Sequence, residues 1–214
     1  DIRALGREAL VLPTDVTVQE QVQQSIQEAI AHWQRIDILV ANAGVYYRRP
    51  IEQLDRQVIE QSMAVNFYGS LHPILAVLPH MMARGSGHLV LVTSMDGRKG
   101  LPLDAPYVVA KFALTGLGDV LRQELRPKGI HTTTVLPGRV DTPLIDNLRV
   151  PAISAKIHPQ VVAQHIVRAI IRKQPVIIVP VTARLLYLAD TLSPRFGDWI
   201  VRTFHLEGWQ QPGS

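Results

Sequence analysis

Short runs of uninterrupted apolar and β-branched residues, separated by longer stretches of helical periodicity, fix what this chain of 214 residues can fold into. His88-Leu-Val-Leu-Val-Thr-Ser94 and the runs at 131–136 and 176–179 show no polar alternation, the pattern of strands covered on both faces. Further strands are predicted at 9–13 and at 36–41, the second introduced by Asp37. Between them, Thr17 is a candidate cap for a helix with the stripe Val18, Val22, Ile26 and Ile30. A long helix is predicted over 61–82, with Pro73 and Pro79 expected to bend or end it. Another helix is entered through Pro106 over 105–125, and a last one over 161–171 follows His158-Pro159, where His158 reads as a cap. Strands alternating with helices predict an α/β fold built on a doubly wound parallel sheet.

Composition excludes several classes. An apolar fraction of 47% suffices for one substantial core, and no repeat, linker or low-complexity run divides the chain. Without cysteine there are neither disulfides nor structural Cys zinc sites, which fits a cytoplasmic setting. The eight histidines form no metal-ligand cluster, with His131, His158 and His165 spread over separate elements. The apolar run 176–181 is too short to span a bilayer. Net charge is −2 over residues 1–119 and +6 over 120–214. A basic half suits a phosphorylated cofactor, an acidic carrier protein or an anionic membrane, and equally a plain solvated surface. No nucleic-acid reading motif accompanies it.

The chemistry concentrates on three residues. Tyr107 and Lys111 are four apart and share a helix face, so the ammonium can lie beside the phenol and favour its ionisation. Ser94, thirteen residues before Tyr107, ends a strand, and strand carboxyl ends are where open α/β sheets bind ligands. Such a trio can protonate a carbonyl. Each residue alone also has an ordinary reading as a surface pair or a strand-end hydroxyl. Gly44 ends the strand before it where backbone must turn or approach a ligand. Asn66 inside an apolar helix suggests a buried polar task, such as bonding a local kink or a water. Asp15 is either a turn former or an acceptor, and Thr142, before Pro143, is biased extended.

Together these blocks resemble the short-chain dehydrogenase/reductase family. Tyr107-Val-Val-Ala-Lys111 is similar to its Tyr-x-x-x-Lys signature with Ser94 at the usual offset, Asn42-Ala43-Gly44 to its Asn-Ala-Gly turn, and Asn66 to the fourth member of its catalytic tetrad. Asp15-Val16 resembles the pair that holds the adenine, and Pro137-Gly138-Arg-Val140-Asp-Thr142 the segment that grips the nicotinamide amide. The resemblance covers roughly residues 8 to 180. It implies an NAD(P)-dependent oxidoreductase of Rossmann-like fold, with NADP(H) slightly favoured, acting on a ketone or secondary alcohol. It further implies Ser94 and Tyr107 at the reacting oxygen, Lys111 on the ribose and on the Tyr107 pKa, Asn66 on a relay water, and a homodimer or homotetramer.

One departure shapes the expectations. The family's opening strand, glycine-rich turn and helix are not matched, and Asp1-Ile-Arg-Ala-Leu-Gly reads as the tail of its second helix, so the chain is read as a fragment. In the implied strand order 3-2-1-4-5-6-7, the run 9–13 is then expected to be orphaned or mispaired. Weak stability and weak dinucleotide binding would follow, and a cofactor-deficient fragment or scaffold without catalysis is the alternative reading. Residues 1–181 form the incomplete domain, and 182–214 an amphipathic extension packed on the subunit, across a dimer, or against a membrane surface.

Overall fold

The computed structural model describes residues 2–210, without the side chain of Gln210. Four parallel strands form its sheet in the order β1 (Ile38–Ala41), β2 (Gly87–Val92), β3 (Ile130–Pro137), β5 (Val176–Val179). Parallel neighbours need crossovers, and helices supply them: α3 (Gly69–Arg84) between β1 and β2, α4 (Ala105–Leu125) between β2 and β3, α5 (Pro159–Arg172) between β3 and β5. A two-stranded antiparallel ribbon pairs β4 (Leu148–Arg149) with β6 (Trp209–Gln210).

Strand alternation divides the core. Leu89 and Leu91 point to one face, where Ile74, Val77 and Met81 of α3 and Leu114 of α4 meet them, all of them buried. Val90 points to the other, against Val135, Ile177 and Val162 of α5. These strands read as continuous apolar runs because both faces are covered.

Helix boundaries depart from the sequence expectation in three places. The single helix expected over 61–82 is instead α2 (Arg56–Met63), a π turn (Ala64–Tyr68) and α3. Pro73 and Pro79 do not end it, since α3 runs through both to Gly85 at φ 68°. A proline removes only its own N–H from the ladder, and the buried side chains of α3 hold the rest. The first helix, α1 (Gln19–Trp33), takes Val18 and not Thr17 as its cap, because the Thr17 hydroxyl is used on Asp15. His158 does cap α5, its Nδ1 accepting the Gln160 N–H at 3.3 Å.

The run at 9–13 joins no ladder among the described residues. It lies along α1, held by Arg3 Nη2 on Ala9 O at 2.8 Å, by Glu8 with His32, and by Thr14 with Ser25. The outer edge of β1 is likewise unpaired among the described residues, with Ile38 and Val40 nearly half exposed.

The chain closes with two helices, α6 (Ala183–Leu192) and α7 (Pro194–Thr203). Ser193 turns between them and accepts the Phe196 N–H. A Cβ at Gly197 would stand 2.4 Å from Asp190 Oδ1, so only glycine lets the two helices approach this closely. Their inner side meets Ile178, Leu136 and Met95 through Ala183 and Tyr187.

Candidate active site

Parallel strands end on one edge, which brings the carboxyl ends of β1, β2 and β3 together. Beyond β1 come Asn42, Ala43 and Gly44; Ser94 stands two residues past β2, and Gly138 follows β3. The first turns of α4 face this edge and carry Tyr107 and Lys111, both buried. The π turn carries Asn66, fully buried.

Asn66 holds the β1 loop. Its Oδ1 accepts the Val45 N–H at 3.1 Å, while Nδ2 donates to Val45 O at 3.0 Å and to Ser62 Oγ at 3.1 Å. One amide thus replaces the ladder partner that Val45 lacks past the strand end. The buried polar task is the bonding of backbone in the loop after β1. A Cβ at Gly44 would meet Asn66 Oδ1 at 3.1 Å and Lys111 Nζ at 3.8 Å, which accounts for glycine there.

Lys111 Nζ donates to Val92 O at 3.1 Å and lies 5.5 Å from the centre of the Tyr107 ring. The Ser94 hydroxyl accepts the Asp96 N–H at 3.1 Å and acts to lower the Tyr107 pKa, which places it beside the phenol. Ser94, Tyr107, Lys111, Asn66 and Gly44 are thus brought into one cluster.

Electrostatics corrects one expectation. The spacing of Lys111 from Tyr107 predicted a lowered phenol, yet burial, followed by the charge of Asp96, pushes the Tyr107 phenol above its ordinary range, and the Ser94 hydroxyl opposes this only in part. Desolvation outweighs an ammonium that lies over the ring rather than on the hydroxyl. Burial also lowers Lys111 to about 8, against the charge of Asp96, which favours the ammonium. Asp96 is raised to about 7, first by burial and then by the charge of Asp104, with Arg139 opposing.

Several neighbours were not singled out from the sequence. Tyr46 meets Tyr107 edge to face, with ring centres 5.0 Å apart and planes at 88°. Burial and the charges of Asp104 and Asp96 push its phenol up. Arg48 and Asp104 form a buried ion pair. The available signal was position, since Tyr46 is two residues beyond Gly44 and Asp96 two beyond Ser94.

The other expected cofactor residues spread outward. Pro137 pairs with Val179, Gly138 N donates to Val179 O at 2.7 Å, and Val140 bridges to Ile157. Thr142 is extended as expected before proline, at φ −145° and ψ 161°. Val16 lies against Gly69, and its carbonyl accepts from His72 Nδ1 at 2.9 Å. Asp15 is exposed, its carboxylate accepting from the Thr17 N–H and hydroxyl in a local turn, apart from the hydrogen bonds of the cluster.

This arrangement places a serine, a tyrosine and a lysine at the carboxyl edge of a parallel α/β sheet. The family model for short chain dehydrogenase matches residues 1–151. The chain belongs to the short-chain dehydrogenase/reductase family. It is 32% identical over 202 residues to a dehydrogenase/reductase SDR family protein 7-like of Drosophila melanogaster, covering 89% of this chain and 62% of that one. Among solved structures, a short-chain dehydrogenase from Streptomyces avermitilis has the same fold, with a TM-score of 0.79 at 23% identity over 94% of this chain and 83% of that one. A gluconate 5-dehydrogenase from Burkholderia cenocepacia, in complex with NADP and tartrate, gives 0.65 at 32% identity over 68% of this chain and 57% of that one. The chain spans about three fifths of the length of the curated relatives it matches, 62% and 60% in two of them.

Proposed function

We propose that this protein is an NAD(P)-dependent oxidoreductase acting on a ketone or a secondary alcohol. The observation that carries the reading is the buried Tyr107 phenol beside the Ser94 hydroxyl, with Lys111 Nζ 5.5 Å from the ring centre and 3.8 Å from where a Cβ at Gly44 would stand.

The residues present fit a nicotinamide cofactor. Gly44 leaves bare backbone beside the Lys111 ammonium, where any side chain would intrude. Asn42, Ala43, Gly44 and Lys111 would hold the ribose end, Pro137, Gly138, Val140 and Thr142 the amide end, and Asp15 and Val16 the adenine. When bound, the cofactor supplies or accepts the hydride.

The chain's own groups do the rest. Ser94 donates a hydrogen bond to the substrate oxygen and fixes its position. Tyr107 keeps its proton in these buried surroundings and passes it to that oxygen as negative charge develops, or takes it back in the reverse direction. Lys111 stabilises the resulting phenolate. Asn66 keeps Val45, and with it the Gly44 turn, in place; a relay water would have to use the polar capacity its amide has left.

The test is a screen of NADH and NADPH with ketones, and of NAD and NADP with secondary alcohols, on the wild type and Tyr107→Phe. Loss of the proton donor is expected to lower turnover about 10²- to 10⁴-fold. Equal turnover in the two proteins would overturn the assignment.

A further inference from the structure

The faces of α6 and α7 turned away from the domain are apolar. Leu185, Leu188 and Leu192 recur at helical spacing and are 69%, 53% and 86% exposed. On α7, Phe196 and Trp199 are both about half exposed and stack on each other, ring centres 5.7 Å apart. A contiguous exposed patch of this kind marks a docking surface.

Charge identifies the occupant. The acidic residues of the hairpin are paired within the subunit: Asp190 and Asp198 both bind Lys99 Nζ, at 2.7 and 2.6 Å, with Asp198 half exposed. Arg184 and Arg195 are exposed and form no ion pair among the described residues, and Arg202 is exposed beside Asp198. Arg195 and Arg202 share a helix face with Trp199, at spacings of four and three. The apolar patch is therefore framed by cations. A second copy meeting this surface about a two-fold axis would gather the arginines of both copies at one interface. Each helix has 10 residues, and none in the described chain is long and apolar enough to cross a membrane, so the hairpin can only lie in an interface.

We infer that the α6–α7 hairpin docks on an anionic lipid surface, its leucines and stacked aromatics entering the headgroup layer and its arginines meeting lipid phosphates. The docked surface would stand close to the candidate active site. Lys99 lies five residues past Ser94, and Arg48 and Arg139 both donate to backbone carbonyls of the turn that follows α7, at Glu207 and Leu206.

The experiment is co-sedimentation of the full chain with vesicles of phosphatidylcholine alone and of phosphatidylcholine mixed with phosphatidylglycerol in equal parts, at low salt. The wild type is expected to pellet with the mixed vesicles and largely stay in solution with the neutral ones. Arg195→Glu, at an exposed position, is expected to weaken partitioning about fivefold or more. Leu188→Ser/Trp199→Ser should abolish it while circular dichroism and the melting midpoint of both variants report an intact fold. Three results would overturn the inference: equal pelleting with both vesicle types or with neither, unchanged binding by the serine variant, or a wild-type dimer in light scattering that the serine variant abolishes. Binding of soluble polyglutamate as tight as that of the mixed vesicles would also do so, by assigning the surface to an acidic polypeptide.

Discussion

Arg48 Nε donates to Asp104 Oδ1 at 2.8 Å, and neither side chain is more than 6% exposed. The pair fastens the loop after Gly44 to the residue that opens α4, three positions before Tyr107. Arg49 N on Leu103 O, at 2.8 Å, runs beside it, and Arg48 Nη2 reaches Glu207 O. Removing Asp104 alone strands a buried guanidinium. Asp104→Leu is expected to lower unfolding free energy by about 3–5 kcal/mol. Arg48→Met/Asp104→Leu should recover most of that, because no unpaired charge remains. Urea unfolding of the three proteins checks this, and a double variant no better than the single one would contradict it.

Stability should depend on pH through two desolvated groups of opposite sign, the part-buried Asp96 and the buried Lys111. Asp96 titrates at about 7 in the fold against an ordinary 3.8, so across that window the folded chain holds a proton that the unfolded chain has lost. Asp96 therefore costs stability increasingly as pH rises to about 7, and the cost is constant above. The stability advantage of Asp96→Asn over wild type should grow across that range. Lys111 titrates at about 8 against 10.5, so its burial costs most below 8 and the cost fades as pH rises to 10.5. The advantage of Lys111→Met should shrink there. Thermal melts across pH read both differences.

The bond between Asn66 and Val45 needs an acceptor and a donor in one side chain. Asn66→Asp keeps the acceptor but, while ionised, cannot donate to Val45 O or Ser62. A loss of about 1–3 kcal/mol or more is expected near neutral pH. It should be partly recovered on acidification, when the protonated acid can donate. Gly44→Ala forces its methyl to within 3.1 Å of Asn66 Oδ1 and is expected to cost about 1–3 kcal/mol. Denaturant midpoints of both variants, the first at two pH values, test the pairing.

Lys99 anchors the terminal hairpin through Asp190 and Asp198 with its side chain 12% exposed. Lys99→Met should loosen the hairpin more than the core. Trypsin is expected to cut after Arg184, Arg195 and Arg202 several times faster, while the global unfolding free energy falls by about 1 kcal/mol or less. Mass spectrometry of timed digests distinguishes this from general destabilisation, which would expose sites in α4 as well.

The strands at 88–92, 130–137 and 176–179 were legible because a strand covered on both faces must be apolar throughout. Ser94, Tyr107 and Lys111 were legible because strand ends and helix faces follow fixed periods. The run at 9–13 has the same pattern, and its lack of a ladder, expected from the unmatched opening of the family fold, follows because a strand exists only with a neighbour. The π turn was hidden because Asn66 signals a polar task without naming its partner, Val45. Arg48 and Tyr46 come from the loop after β1 and Asp96 and Asp104 from the connection between β2 and α4, and no spacing rule links the two. The direction of the Tyr107 phenol was misread because spacing reports which charge is near and not how much water is lost.

The π turn at Ala64–Tyr68 accommodates one residue more than ordinary helical pitch would. Deleting a single residue from it would fuse α2 and α3 into one continuous rod and rotate everything on its amino-terminal side by about 100°. Val58 and Ser62 would swing out of the interior, and the carboxamide would lose its hold on the neighbouring loop. Chain length across this stretch thus matters to the site as much as the identity of any side chain in it.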